Sequence, residues 1–562
     1  MPENILVCTA WPYANGPLHL GSLAGCYLPA DIFARYHRMN GNRVLMVSGS
    51  DVHGTPITLR AEEEGVSPGE VASKYHESFL DTWTRFGISY DLFTSTGTDN
   101  HRSVTHDIFR RLYESGFIYP SSMKVAYSPD SQRYLPDRYV NGTCPYCSNQ
   151  DARGDQCDEC GRTLDSVELI NPQYRVRGEV YPIEFLDTDH LFLKLSHFQD
   201  ELLNWVRSNE HWRPNVRNFT HAFLEEGLRD RPITRDIEWG ISVPVDGFED
   251  KRIYVWFEAV IGYLSASKEW AANNGEPDAW EDFWIGGNSR AYYFLGKDNI
   301  PFHSMIWPAM LMGYGGLNLP YDIPANEFLT LEGRQFSTSR RWAVWAPDYL
   351  DAFPADPLRY HLTANMPETG DTDFSWAEYV RRNNDELVAT FGNLVHRVLT
   401  MVQRNFEGEI PDPVELREND KRLLERSADA LGTVGTSLET CRFREGIQGF
   451  MALARDVNRY LDSEAPWQQV KNDPSVAAKT IFTALSAISI LKVIAYPFLP
   501  FSAETLHRLL GMEGKVESGG WAVPLIEPGS PLPVPEPLFA KLDDEVVMEQ
   551  TAKLGDITKS NS

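Results

Sequence analysis

Short apolar runs alternate with helical patterns in the first part of the chain. Residues 4–10 and 44–48 are apolar runs, and each predicts a buried parallel strand. Between them, the turn at residues 11–17 precedes a helical pattern from His19 to Met39, in which Pro29 predicts a kink. Because strand, helix and strand in this order begin a βαβ unit, we expect a nucleotide-binding α/β fold.

The pattern changes along the rest of the chain. Runs at 255–257, 292–295 and 326–331 predict further strands of the sheet, whereas residues 118–215 combine turns, short strands and four cysteines and predict an insertion. From residue 385 onward the periodicity is helical, which predicts a bundle with helices at Asn384–Asn405, Asn419–Leu438, Arg444–Leu461 and Ser475–Ala495.

Two further segments limit the class of protein. The apolar stretch Thr480–Leu491 is too short to cross a hydrocarbon core of about 30 Å, so we interpret it as a buried helix. Six prolines fall within residues 524–537, which predicts an extended segment rather than a domain.

Composition excludes several classes. Of 562 residues, 42% are hydrophobic and 12% aromatic, enough for a large core, so disordered and fibrous classes are excluded. With 52 basic and 79 acidic residues the net charge is −27, so a nucleic-acid partner needs a local basic surface. The first residues lack the pattern of a signal peptide, and paired CxxC motifs are typical of cytosolic thiols or metal sites.

The strongest local signal is a pair of CxxC motifs in the insertion. Cys144 and Cys147 are followed after nine residues by Cys157 and Cys160. Four thiolates with this spacing can surround one tetrahedral Zn²⁺ and leave no open position, so the site should be structural. The alternative is two reduced dithiols or a redox pair.

Two polar segments are candidates for phosphate binding. Residues 17–22 open a helix after the first strand, where Gly21 permits close approach and His19 can donate a hydrogen bond to phosphate. The loop Glu332–Arg341 holds three hydroxyls beside three arginines, which could clamp an anion. Taken alone, the segment at residues 17–22 is better explained as a turn whose histidine caps a helix, and the loop Glu332–Arg341 as a solvated surface loop.

A third candidate combines aromatic residues with a carboxylate. Asp298, in the run 296–299, follows a predicted strand and could bind ribose hydroxyls, or it could be a buried cap. Aromatic residues of this kind usually belong to a core. The set contains Tyr13, Trp256, Tyr263, Phe302, His303 and Trp307.

In their order along the chain, these motifs resemble those of methionyl-tRNA synthetases, a family of class I aminoacyl-tRNA synthetases, over residues 4 to about 515. The class I signature H-[IL]-G-H corresponds to His19–Ser22. The methionine-specific context corresponds to residues 10–16, 50–56, 254–263, 296–308 and 464–467. The resemblance implies an enzyme that activates methionine with ATP and transfers it from the adenylate to the 3′ end of tRNA.

The resemblance also implies site residues. Asp51 would pair with the substrate ammonium, and a polarizable thioether suits an aromatic lining. The other methionine-binding positions are Tyr13, Trp256, Tyr263, His303 and Trp307; the ATP-binding positions are His19, Gly21, Ser22, Asp298, Ser337, Thr338 and Ser339; and the catalytic positions are His19, Ser22, Thr338 and Arg340.

For the anticodon, the family pattern implies Asn393, Arg397, Pro466 and Trp467 in the helical bundle. They would read an unpaired CAU loop by stacking and base-edge hydrogen bonds. The alternatives are that Trp467 anchors a helix turn and that Arg397 forms a surface ion pair.

The chain departs from the family pattern at both signatures. Ser22 replaces the second histidine of the first one. The K-M-S-K-S motif corresponds to residues 335–339, and both lysines are absent. Arg334, Arg340 and Arg341 flank this site, and which cation meets the pyrophosphate stays open; our hypothesis is that Arg340 leads.

The expected organisation is a Rossmann-type parallel-sheet catalytic domain split by a zinc-knuckle insertion and followed by an α-helical bundle. We expect one structural Zn²⁺, ATP with Mg²⁺, tRNA(Met) including the initiator, no membrane partner, a cytoplasmic location, and a monomer, since only the proline-rich segment follows the bundle. The expected division is 1–117 and 216–330 for the two catalytic halves, 118–215 for the connective insertion, 331–384 for the signature loop and stem-contact region, 385–523 for the anticodon-binding bundle, and 524–562 for the tail.

Two other functions stay open at this point. The absent lysines suggest a paralogue that binds tRNA or adenylate without efficient aminoacylation. The second alternative is a class I enzyme for a different amino acid, such as cysteine or isoleucine. A cysteine enzyme would need zinc in the substrate pocket, whereas these four cysteines lie in the insertion. An isoleucine enzyme would need a large editing insertion, for which the chain has no room.

Overall fold

The computed structural model describes residues 2–157, 159–162, 164–176, 179–337 and 341–555. Its first part alternates strands with helices, as the apolar pattern predicts. The elements are β1 (Asn4–Thr9), α1 (Leu20–Ser22), α2 (Leu28–Met39), β2 (Arg43–Ser50), α3 (Thr55–Glu64), α4 (Pro68–Phe86), β3 (Leu92–Ser95) and α5 (Asp99–Glu114).

The segment that follows is rich in antiparallel strands. Strands β11, β10, β4 and β5 form one four-stranded sheet, and β7, β6, β8 and β9 form a second. The elements are β4 (Ile118–Ser128), β5 (Arg133–Tyr134), β6 (Val140–Thr143), β7 (Ala152–Arg153), β8 (Ile170–Val176), β9 (Glu179–Tyr181), β10 (Glu184–Leu193), α6 (Gln199–Ser208), α7 (Pro214–Glu225), β11 (Arg231–Pro232), β12 (Thr234–Arg235) and β13 (Arg252–Ile253).

The chain then returns to the central sheet. One prediction is wrong here: Val255–Phe257 belongs to a helix, because a short apolar run fits a buried helix as well as a strand. The elements are α8 (Val255–Glu258), α9 (Gly262–Asn273), α10 (Glu281–Trp284), β14 (Ser289–Gly296), α11 (Trp307–Tyr314), β15 (Ala325–Asn326), β16 (Leu329–Leu331), β17 (Arg334–Gln335), α12 (Ala346–Ala352), α13 (Ala355–Ala364), β18 (Thr372–Phe374) and α14 (Trp376–Arg382).

The central sheet is parallel, with the strand order β15-β14-β1-β2-β3. Numbered within the sheet, this is the Rossmann order 3-2-1-4-5, and the direction in which successive strands are added reverses between β1 and β14. The predicted strand at 326–331 is divided, because β15 joins this sheet whereas β16 pairs with β17 and β18. Ligands of such sheets bind beyond the carboxyl ends of the strands at the reversal.

Both faces of the sheet are buried. On β1, Ile5 and Val7 face a core that continues into the C-terminal helices, and Leu6 and Cys8 face a second core. Alternate side chains of a strand point to opposite faces, so the continuous apolar run is what a doubly covered strand requires.

Helices form the C-terminal part, as predicted. Three of the four predicted helices agree with the structure to within a few residues. The fourth, predicted at Asn384–Asn405, is part of a longer helical stretch that begins at Trp376 and includes π-helical turns at Asn383–Gly392. The elements are α15 (Asn393–Asn405), α16 (Glu418–Glu439), α17 (Phe443–Glu464), α18 (Pro466–Asn472), α19 (Pro474–Ala495), α20 (Pro500–Leu509) and α21 (Glu545–Ala552). Among the described helices, α19 alone is long and apolar enough to cross a bilayer, but most of it is buried within the protein, which confirms a buried helix.

In the part of the chain that the structure describes, three π-helical segments interrupt the helices, at Leu23–Tyr27, Phe302–Ile306 and Asn383–Gly392. The first lies directly before Pro29, within a stretch that is helical from Leu20 to Met39. Segments of this kind are rare and are concentrated at functional sites. Each of the three adjoins or contains predicted site residues.

Candidate functional site

The first signature lies beyond the carboxyl end of β1. The Nδ1 atom of His19 accepts a hydrogen bond from the backbone N–H of Ser22 at 3.3 Å and so caps α1. Burial lowers the pKa of His19 to about 4. The imidazole is therefore neutral near pH 7, with its proton on Nε2, and it can donate one hydrogen bond to a ligand.

The second signature is attached to the first. Phe336 stacks on the His19 ring, with 4.7 Å between ring centroids. Backbone hydrogen bonds from Leu20 to Val344 and from Ala346 to Leu18 hold the two segments side by side at 3.1 and 2.7 Å. These contacts join the two signatures into one unit.

The signature loop is closed at its base by Ser337 and Trp342. Their backbone groups exchange two hydrogen bonds of 2.9 Å. Three of the predicted positions, Thr338, Ser339 and Arg340, lie outside the described residues.

A cavity of about 360 Å³ lies between the signatures and the end of β14. Asp298 lines it, and a Cβ at Gly296 would come within 2.7 Å of the Asp298 carboxylate. A Cβ at Gly21 would lie 3.0 Å from the His19 ring. These glycines therefore leave room for the carboxylate and the imidazole. The lining of this cavity includes the predicted residues His19, Gly21, Ser22 and Asp298.

Asp51 is a buried carboxylate at the end of β2. It forms a parallel bridge with Tyr13, and its Oδ1 accepts a hydrogen bond from the His53 N–H at 3.3 Å. Burial, together with the negative charge of Glu258, raises the pKa of Asp51 to about 8. Among the described residues no cation forms an ion pair with this carboxylate, so a cationic ligand is the partner that would stabilise its charge.

The aromatic residues form two hydrogen-bonded pairs, which Phe302 joins, because its ring packs edge-on against Trp256 at 4.4 Å and it directly precedes His303. The Trp256 indole donates a hydrogen bond to the Tyr13 hydroxyl at 2.5 Å. His303 donates from Nδ1 to the Asn299 carbonyl at 2.9 Å, which leaves Nε2 to accept the Tyr263 hydroxyl at 2.7 Å. Burial lowers the pKa of His303 to about 4, so the ring stays neutral.

The last predicted member lies behind this set. Trp307 is fully buried and donates to the Tyr293 hydroxyl at 3.0 Å, and the Tyr293 ring packs edge-on against Tyr263. In this conformation Trp307 touches the set through Tyr293 rather than lining an open space. Its place in the methionine pocket stays a prediction.

Two residues near this set were missed by sequence reasoning. Trp11 lies between Gly49 and Gly262, where a Cβ would come within 2.2 and 2.6 Å of the indole. Trp11 also lines the cavity, so it separates the cavity from Tyr263. It falls inside the run 10–16, but no local signal marks the two glycines that receive it.

The second missed residue comes from the segment beside the cysteines. The Arg138 guanidinium lies 5.8 Å from the Tyr13 ring centroid and 5.9 Å from that of Trp256. Asp155 pairs with it. Nothing in the local sequence marks Arg138, because its partners are distant in the chain.

The four cysteines form one cluster. Their sulfur atoms all lie within 4.8 Å of one another, with Cys144 and Cys160 at 4.0 Å and Cys147 and Cys157 at 3.5 Å. Thiolates about 2.3 Å from a tetrahedral zinc lie about 3.8 Å apart, so the residues fit a single ion. None of them forms a disulfide.

The predicted anticodon residues meet at one corner of the bundle. Asn393 and Arg397 are one turn apart on α15, and Pro466 and Trp467 begin α18. The Arg397 guanidinium lies 5.6 Å from the Trp467 ring centroid and 3.3 Å from Asp462. Trp467 is 42% exposed, which leaves a ring face for stacking.

Two family models match the chain. One is described as tRNA synthetases class I (M) and matches residues 5–399, and the other is described as the anticodon binding domain of methionyl tRNA ligase and matches residues 410–559. The chain belongs to the methionyl-tRNA synthetase family. As a member of this family it is an enzyme of the class I aminoacyl-tRNA synthetases.

Full-length relatives agree with this assignment. A protein named methionine–tRNA ligase from Dehalococcoides mccartyi (strain CBDB1) is 55% identical, over 99% of this chain and 100% of its own length. One with the same name from Thermomicrobium roseum is 52% identical, over 99% of each chain. These names favour a synthetase over a paralogue that no longer ligates.

A solved structure shares the fold. Mycobacterium tuberculosis methionyl-tRNA synthetase in complex with methionyl-adenylate superposes with a TM-score of 0.80 at 26% identity. The match covers 96% of this chain and 99% of that one. The parallel-sheet domain, the cysteine cluster and the helical C-terminal part together confirm the predicted fold class.

Proposed function

We propose that this protein ligates methionine to tRNA(Met), including the initiator, and that it uses ATP to activate the amino acid. One observation carries the proposal: Trp11 lines the same cavity as His19 and Asp298 and packs edge-on against Tyr263 of the aromatic set, and Tyr13 of that set is bridged to the buried Asp51. A binding site for an ammonium and an apolar side chain thus adjoins a site suited to a nucleotide.

The chemistry has two steps. In the first, a methionine carboxylate oxygen attacks the α-phosphorus of ATP, a new P–O bond forms, and the bond to pyrophosphate breaks. In the second, a hydroxyl of the terminal ribose attacks the carbonyl carbon of the adenylate, and AMP leaves. Orientation and charge neutralisation supply most of the rate enhancement in such reactions, and Mg²⁺ accompanies the ATP.

For methionine, we propose that Asp51 binds the ammonium and that the aromatic set surrounds the side chain. A cation next to Asp51 removes the cost of burying its charge, which supports this assignment. Tyr13, Trp256, Tyr263 and His303 offer ring faces and edges, against which a thioether packs well. We keep Trp307 as the back wall.

For ATP, we propose that His19, Gly21 and Ser22 meet the phosphates and that Asp298 binds the ribose hydroxyls. The neutral His19 imidazole can donate to an oxygen without carrying a charge. We also propose that Ser337, Thr338, Ser339 and Arg340 belong to the loop that receives the pyrophosphate, with Arg340 in place of the absent lysine. The paired base of this loop beside His19 supports the proposal.

For tRNA, we propose that Asn393, Arg397, Pro466 and Trp467 read the anticodon, since they form one partly exposed corner. The cysteine cluster would bind one structural Zn²⁺, which cross-links the segment around it. We further propose a cytoplasmic monomer and retain the six-part division of the chain.

The test is amino-acid-dependent ATP–pyrophosphate exchange with all twenty amino acids, followed by tRNA charging. We expect exchange with methionine at least about a hundredfold above the other amino acids, because a buried ammonium site with an aromatic pocket selects both ends of the substrate. Charging of tRNA(Met) should follow. Exchange without charging would favour the paralogue, and a preference for another amino acid would contradict the proposal.

A further inference from the structure

A second, larger cavity lies away from the catalytic crevice, between α13, α14 and the first half of α17. Its volume is about 410 Å³, and its lining includes Arg381, Arg382, Glu386, Arg444, Gln448, Met451 and Arg455. Four of these residues are arginines and one is a glutamate, in a chain whose net charge is −27. Such a concentration of positive charge points to an anionic ligand.

The arginines divide into two pairs. Arg381 and Arg382 both bind the Glu378 carboxylate, at 2.7 and 2.8 Å, and Arg381 also contacts Glu386 at 3.2 Å. Hydrogen bonding from Arg381 in particular lowers the pKa of Glu378 to about 2. These contacts hold the α14 side of the cavity in place and leave it less positive.

The other pair has no such anchors. Within the described ranges, the guanidinium groups of Arg444 and Arg455 form no hydrogen bond or ion pair; only the backbone N–H of Arg444 is bonded, to Glu368. Arg444 is half-buried and Arg455 is exposed. A guanidinium without a hydrogen-bond partner keeps its five N–H donors for a ligand, and its planar fork matches phosphate.

The position of this pair selects among anionic ligands. Arg444, Gln448, Met451 and Arg455 lie at alternating spacings of four and three residues and so share one face of α17. The same face continues to Asn458 and Asp462, both of which contact Arg397 at the anticodon corner. At 1.5 Å per residue, about 27 Å separate Arg444 from Asp462 along the helix.

We propose that Arg444 and Arg455 bind backbone phosphates of the tRNA between its anticodon and its acceptor end. An RNA that reaches from the Trp467 corner to the catalytic crevice passes the junction of α17 with α13 and α14, where this cavity opens. Phosphate contacts of this kind position an RNA without reading its sequence. The inference rests on the proposed function, because it takes tRNA as the substrate.

The test combines Arg444→Ala with Arg455→Ala. We expect the KM for tRNA(Met) to rise about tenfold, and the slope of log K against log salt to fall by about 1.5, since each phosphate contact contributes about 0.7 to 0.9. Methionine-dependent exchange should stay within twofold of wild type, and Arg444→Lys with Arg455→Lys should restore part of the affinity.

Two controls complete the experiment. Arg422→Ala with Arg426→Ala removes the same charge from α16, outside the cavity, and should leave the salt slope unchanged. Trp467→Ala should weaken cognate tRNA selectively, whereas the cavity variant should weaken all tRNAs alike. A cavity variant with an unchanged KM and slope would overturn the inference, while a wild-type protein that charges no tRNA would overturn the proposed function instead.

Discussion

At the scale of single residues, Asp51 is a buried carboxylate that has no ion-pair partner among the described residues. Its carboxylate is buried next to Glu258, one of whose oxygens has no hydrogen-bond partner among the described residues. Glu258 is itself paired with His53 at 2.9 Å. Burial alone would lower the pKa of His53, but the contact with Glu258 raises it. The site therefore holds one ion pair, His53 with Glu258, and one carboxylate, Asp51, that has no ion-pair partner among the described residues.

This arrangement predicts a pH dependence of methionine binding. With the pKa of Asp51 near 8, most of the free protein is protonated there at pH 7, and an ammonium binds only to the ionised form. We expect kcat/KM for methionine in the exchange assay to rise up to about tenfold per pH unit between pH 6 and 8, and then to level off.

Asp51→Asn provides the control, because an amide of the same shape cannot ionise. It should lower kcat/KM strongly and remove the rise between pH 6 and 8. In the absence of methionine it should also stabilise the protein as pH rises. Because the pKa of Asp51 is about 8 in the folded protein, its carboxyl keeps a proton between pH 4 and 8 that the unfolded chain has lost. The stability of the wild type therefore falls as pH rises from 4 to 8. An unchanged profile in the variant would assign the pH dependence to another group.

The predictability of single residues follows the range of their contacts. Asp51, Tyr13 and His303 could be proposed for the site because each lies in a motif that the family pattern marks. Trp11 and Arg138 could not, because their significance depends on contacts across more than a hundred residues, such as Trp11 with Gly262 or Arg138 with Trp256. Such contacts leave no trace in local periodicity.

At the scale of elements, the long helices were predictable and the short ones were not. The boundaries of α16 and α19 follow from repeated apolar positions over 22 residues each. By contrast, the three-residue run at Val255 has no period to measure, and tertiary packing makes it a helix. The π-helical turns depend on packing in the same way, so no sequence pattern predicts them.

The cysteine segment is an element whose folding should depend on the proposed Zn²⁺. Asp155, two residues before Cys157, holds Arg138 against the rings of Tyr13 and Trp256. Loss of the metal should therefore reach the amino-acid site through Asp155 and Arg138. We expect Cys157→Ser to abolish zinc binding in metal analysis and to raise the KM for methionine roughly tenfold.

The KM for ATP should stay within about twofold in that variant, because the cavity proposed for the nucleotide lies on the other side of Trp11. Arg138→Met is the matched variant: it should reproduce the methionine effect with the metal content intact. If Cys157→Ser loses its metal and methionine KM does not change, the cysteine segment does not act on the pocket.

At the scale of the whole molecule, one buried arginine joins the catalytic sheet to the bundle. Arg359 on α13 is fully buried and donates to Asp31 of α2 at 2.6 Å. It also donates to the carbonyls of Phe498 and Pro497, between α19 and α20, at 2.8 and 2.9 Å. A third hydrogen bond, 3.2 Å long, runs from the guanidinium to the carbonyl of Phe86 at the end of α4. Three parts of the molecule thus share one guanidinium.

We expect Arg359→Met to loosen this junction. The variant leaves the Asp31 carboxylate and several carbonyls without their donor, and removing one partner of a buried ion pair costs about 3–5 kcal/mol. Burial alone would raise the pKa of Asp31, but Arg35 and Arg359 together lower it to about 2. The stability that this pairing supplies is present above pH 4 and is lost as pH falls toward 2, so the difference between wild type and variant should narrow in acid.

Hydrogen exchange of backbone amides shows which parts of the molecule lose stability in Arg359→Met. Amides near Phe498 and Phe86 should exchange faster in Arg359→Met, whereas β1, which is covered on both faces, should stay protected. Because the unpaired carboxylate carries much of the cost, Asp31→Asn combined with Arg359→Met should destabilise less than the sum of the two single changes. Strictly additive losses in thermal unfolding would mean that Asp31 and Arg359 contribute independently, and the junction would then depend on the carbonyl contacts alone.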